Sequence, residues 1–76
     1  MSPHLPYVTG KQVERAAKNA GYIFDRKTGS HAVYFRESDK RRVVIPIHAG
    51  ETVKPKTLAA IVQDMGLTFD EFRALL

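Results

Sequence analysis

The connections between the β-favouring runs of this chain are too short to cross over, and that limits the sheet it can build. Tyr22-Ile23-Phe24 opens a first run, and Arg26-Lys27-Thr28-Gly29-Ser30 forms its end and a turn. A second run spans His31 to Glu37, followed by the turn signal Ser38-Asp39-Lys40. A third spans Arg42 to Ile47, with Val43, Val44, Ile45 and Ile47 as its apolar content. Parallel neighbours need a crossover of about a dozen residues or more, so these runs predict an antiparallel meander. Pro46 lacks a backbone donor, which assigns the third strand to a sheet edge.

Helical signals flank the meander. Thr9 can cap the free N–H of Gln12 while Gln12 reaches back, with Val8 and Val13 as the hydrophobic staple. Val13, Ala16, Ala17 and Ala20 recur at helical spacing on a small apolar face, and Gly21 suits the left-handed position that ends a helix. After a loop at His48-Ala49-Gly50-Glu51-Thr52, Pro55 fits the first turn of a second helix. Leu58, Ile61, Val62 and Met65 form its buried stripe, and Gly66 stops it. Thr68-Phe69-Asp70-Glu71 repeats the capping box, with Leu67 and Phe72 as its staple, and starts a short third helix. That helix buries Phe69 and Phe72, with Leu75 or Leu76 as a further candidate. The order is α-β-β-β-α with a short extra C-terminal helix: an α+β chain whose three-stranded sheet is covered on one face by two amphipathic helices.

Seventy-six residues make one domain over 1–76, with Met1 to Tyr7 a loosely held lead-in containing Pro3 and Pro6. Cysteine is absent, so no disulfide or thiolate–metal staple supports the fold. No long apolar run or signal-like start appears, and the chain reads as cytoplasmic, neither secreted nor membrane-spanning. The net charge of +4 is uneven. Residues 1–56 hold eleven Lys/Arg against five Asp/Glu, whereas residues 57–76 hold one against three. Such asymmetry points to a polyanionic partner on the N-terminal and central surface.

Gly29-Ser30-His31 is the motif that carries chemistry. A tight turn delivers an imidazole to the first residue of the run Ala32-Val33-Tyr34-Phe35, and turns set side chains at a rim where a ligand can reach them. Imidazole changes charge unaided near neutral pH. On the residues alone, proton transfer and a sheet-edge cap are equal readings of His31. Its strand parity matches Val33 and Phe35. With Phe35 taken as core, His31 points to the core side and must escape burial at the rim. Tyr34, of opposite parity, is expected on the open face. His48 reads first as a loop or strand-end residue, second as a proton-transfer group or phosphate ligand. His4 lies in the lead-in and is expected to take no part. The histidines show no metal-ligand spacing, so neither metal nor cofactor is expected. The phosphate-contact candidates are Lys11, Lys27, Arg36, Arg42 and Lys54, with Lys27 ranked first because it lies close to His31 in sequence. Lys11 also sits in the first turn of a helix, where anions are favoured.

Val8-Thr9-Gly10-Lys11, Gly21-Tyr22, Lys27-Thr28-Gly29-Ser30-His31, Val44-Ile45-Pro46-Ile47-His48-Ala49-Gly50 and Lys54-Pro55-x-Thr57-Leu58-x-x-Ile61 together resemble the HicA family of toxins. The resemblance spans nearly the whole chain. It implies a double-stranded-RNA-binding-domain-like fold, an mRNA interferase activity without metal, a HicB-type antitoxin partner, and His31 as the catalytic histidine of the Gly-Ser-His motif. Ser30 joins the RNA-contact candidates as its neighbour in that motif. One departure is Lys56, where the family often has glycine.

RNA carries its own nucleophile in the 2′-hydroxyl, so a protein cutting it needs a base, an acid and a stabiliser of phosphate charge. His31 can serve as either the base or the acid, and no second group is evident. The alternative is an RNA-binding module of the same fold that grips phosphates without cutting. A third reading, a protein-interaction module whose basic face matches an acidic antitoxin, is compatible with the first.

Overall fold

The computed structural model describes residues 7–76. The elements run α1 (Gly10–Asn19), β1 (Ile23–Thr28), β2 (His31–Arg36), β3 (Arg41–Pro46), α2 (Pro55–Asp64) and α3 (Phe69–Ala74). The strands form one antiparallel sheet in the order β1-β2-β3, which leaves Pro46 on an edge strand. The α+β meander and its extra helix match the expectation. The loose lead-in and His4 lie outside the described residues, apart from Tyr7, which is 80% exposed. No described helix is long and apolar enough to cross a membrane.

Local chemistry sets the helix ends. The Thr9–Gln12 and Thr68–Glu71 capping boxes both form. At the end of α1, Tyr22 N–H donates to Ala17 O and Gly21 N–H to Lys18 O. At the end of α2, Leu67 N–H donates to Val62 O and Gly66 N–H to Gln63 O. Both are Schellman caps, with Gly21 and Gly66 at positive φ.

The core lies between the helices and one face of β2 and β3. Ala32, Tyr34, Val43 and Ile45 meet Val13, Ala16 and Ala17 of α1, the stripe Leu58, Ile61, Val62 and Met65, and Phe72 of α3. Leu75 is half-buried against this core, whereas Leu76 is 40% exposed.

The expected assignment of faces in β2 is reversed. Tyr34 is 1% exposed and belongs to the core, while Phe35 lies on the open face with Val33. The tyrosine can go inside because its hydroxyl finds a partner: it donates to Glu14 Oε2 of α1 at 2.5 Å. Burial, and then this carboxylate, raise the phenol's pKa. Phe35 instead carries the Arg42 guanidinium over its ring at 5.3 Å. His31 shares its parity with Val33 and Phe35 as read; on that face Val33 is 5% exposed and Phe35 half-buried, and His31 is exposed because it stands at the strand's first position, on the rim.

Candidate active site

The site begins with a two-residue hairpin. Thr28 pairs with His31 across Gly29-Ser30. Gly29 has φ +58° and Ser30 does not have positive φ, the pattern of a type II′ turn. Glycine is required there, and the turn fixes His31 as the first residue of β2. On its other side, His31 pairs with Pro46 of β3. Ile47 N–H then donates to Ser30 O at 2.6 Å, so the chain leaving β3 is tied to the turn that carries His31.

The next segment is held on both flanks. Glu51 N–H donates to His48 O at 3.0 Å, with Gly50 at φ +76°, which makes His48-Ala49-Gly50-Glu51 a type II turn. Thr52 bridges Thr9, and Val53 N–H donates to Val8 O at 2.7 Å. Gly10 completes the junction. A Cβ there would stand 2.4 Å from Pro46 O, so only glycine lets α1 start this close to the end of β3.

These ties gather His31, Pro46, His48, Glu51, Lys54 and Thr57 around one open cavity of about 500 Å³, with Val44 and Val53 as apolar wall. His31, His48 and Lys54 are all exposed. Lys54 is the N-cap of α2 and offers no side-chain cap, and Pro55 follows at the first helical position. The backbone N–H groups of Lys56 and Thr57 therefore have no intrahelical acceptor. Helix dipole, unpaired donors and the Lys54 ammonium all favour an anion at this rim. Imidazoles beside a rim of this kind have the chemistry to take up and give up protons next to a bound anion.

The other expected contacts lie elsewhere. Lys27 pairs with Ala32 and so takes the helix-side face of the sheet, opposite His31. Lys11 lines a separate shallow depression along α1 with Glu14, Arg15 and Lys18. Ser30 is half-buried, and its carbonyl holds Ile47. Arg42 pairs with Phe35 on the open face, four residues along β2 from His31. Arg36 is engaged in the fold. It donates to Asp39, to Ala20 O at 2.8 Å and to Met65 O at 3.3 Å, and lies 4.6 Å over the Tyr22 ring. Its guanidinium holds the Asp39 carboxyl down to about 2. At about 3.4 Å per residue, Arg36 sits about 17 Å along β2 from His31.

Glu51 and Thr57 are cavity residues that the sequence did not mark for function. Thr57 stood inside the Lys54-Pro55-x-Thr57 motif without a role, and for Glu51 no local signal existed.

The family model described as HicA toxin of bacterial toxin-antitoxin matches residues 10–67. The match starts with α1 and ends just beyond α2, so it contains His31, His48 and Lys54. No curated protein matches the chain.

Proposed function

Because this chain belongs to the HicA toxin family, and so is the toxin of a toxin–antitoxin system, we propose that it is a metal-independent endoribonuclease acting on mRNA with His31 as a catalytic residue. The observation that carries the reading is the exposed His31 imidazole sharing one open cavity with Lys54 and the free N–H groups at the start of α2. In-line attack by the ribose 2′-hydroxyl on the adjacent phosphorus requires proton transfer and stabilisation of phosphate charge, and these groups supply both. The product is a 2′,3′-cyclic phosphate with a 5′-hydroxyl on the released strand. DNA, lacking the nucleophile, is not cut. We also propose a HicB-type antitoxin as the partner, its acidic groups covering this cationic rim.

The test is incubation of the purified protein with unstructured RNA in the presence of chelator. The expected result is cleavage to cyclic phosphate ends. His31→Ala, an exposed substitution, is expected to lower the rate about 10²- to 10⁴-fold with little change in stability. Intact RNA with a gel shift would replace the nuclease by a binding module. Full activity in His31→Ala would remove the imidazole from the chemistry.

A further inference from the structure

Transesterification of RNA moves two protons, and a single imidazole must serve both ends of the reaction unless a second group stands opposite it. The cavity is lined by a second imidazole, that of His48. His48 follows β3 by two residues, and β3 ends at Pro46, the pairing partner of His31. The Ile47–Ser30 hydrogen bond and the turn closed by Glu51 N–H on His48 O hold the His48 backbone beside the His31 turn. Both rings line the same cavity, and neither is engaged by another described residue. The His48 side chain is exposed and lines the cavity, so its ring is open to a ligand there.

We infer that His48 is the second proton-transfer group of the site, working opposite His31; this rests on the ribonuclease reading above. One imidazole, neutral at the outset, takes the proton from the 2′-hydroxyl as the O2′–P bond forms. The other, protonated at the outset, gives its proton to the 5′-oxygen as the P–O5′ bond breaks. The two rings finish with their protonation states exchanged, and proton exchange with solvent resets them. Lys54 and the amide groups at the start of α2 face the phosphate charge between them. The titratable groups facing this cavity are His31 and His48, Lys54 at the start of α2, and Glu51 of the connecting turn. Glu51 is the rival for the same role, and the experiment separates the two.

The experiment is the pH–rate profile of RNA cleavage by the full chain and by His48→Gln, His48→Ala and Glu51→Gln. Thermal melting of each variant accompanies it. The wild type is expected to show a bell with one limb for the base and one for the acid. Both His48 variants are expected to keep the fold, lose about 10²- to 10⁴-fold in rate and retain a single limb. Glu51→Gln is expected to keep the bell. A uridine 3′-phosphate ester with a nitrophenolate leaving group then assigns the role, because that leaving group departs without an acid. Recovery of near-wild-type rate by His48→Gln on this ester makes His48 the acid, and loss equal to that on RNA makes it the base.

A His48→Gln profile with both limbs would overturn the inference, even if the rate falls uniformly, since that marks a phosphate ligand. So would a missing limb in Glu51→Gln in place of the His48 variants. Either result leaves the nuclease intact as long as His31→Ala is inactive. No cleavage by the wild type would remove both.

Discussion

The two ends of β2 use positive charge in opposite ways. At the Arg36 end, the cations are spent on the fold. Arg36 bonds Asp39 and the carbonyls closing α1 and α2, and Arg41 bonds Asp39 and the Asp64 carbonyl. At the His31 end, His31, His48 and Lys54 meet in an open cavity, and none has a carboxylate within ion-pair distance among the described residues. Charges at helix ends and across strands stabilise by fixed geometry, whereas charges left unpaired at a rim remain available to a ligand. Net charge alone does not distinguish these uses, but partners do.

Substitutions at the two ends should therefore separate stability from activity. The largest effect on stability is expected from Arg36→Ala. It removes a guanidinium whose side chain is 20% exposed and which satisfies the last carbonyls of two helices. The expected loss is about 1–3 kcal/mol in urea unfolding, with RNA cleavage unchanged below the transition. A drop in cleavage with no loss of stability would show that the two ends are not divided in this way. At the other end, Lys54→Ala is expected to slow cleavage about tenfold, less than loss of an enclosed donor because the cavity is open. Its stability should stay within about 0.5 kcal/mol of wild type. The rate in Lys54→Ala should also depend less on salt.

The acid limb of stability sharpens the same division. Asp39 is held down to about 2 from an ordinary 3.8, first by its hydrogen bond from Arg36. A carboxylate depressed on folding contributes stability above its unfolded pKa and loses it as pH falls through the folded value. Wild type should therefore lose stability between about pH 4 and pH 2. Asp39→Asn should flatten that part of the curve in melts taken across the range. An unchanged acid limb in the variant would mean that Asp39 does not anchor the Arg36 end.

What the sequence revealed depended on how local the physics was. Thr9, Gly21, Gly66 and Thr68 were legible as helix ends because each cap is settled within about a turn of chain. The faces of β2 were not. Ala32-Val33-Tyr34-Phe35 is apolar on both parities, so alternation offers no contrast, and the deciding partner, Glu14, lies on another element. His31 and His48 could each be marked by residue type. That they line one cavity depends on the His31–Pro46 register and on the Ile47–Ser30 bond, both contacts between segments distant in sequence.

Lys27 is where nearness in sequence does not give a shared face, and it supplies the smallest expected effect. A two-residue turn places Thr28 opposite His31 and Lys27 opposite Ala32, so the four residues separating Lys27 from His31 do not bring them to one face. An extra residue at Asp25 then re-phases β1, which lets Phe24 and Lys27 share the helix-side face despite their odd spacing. Lys27→Ala should therefore change the cleavage rate by no more than about twofold, an ordinary effect of removing one solvated charge. Measured beside Lys54→Ala under identical salt, it should be the milder variant by a clear margin. The reverse order would mean that the phosphate is held from the β1 side, and the cavity between His31, His48 and α2 would lose its claim to be where RNA is cut.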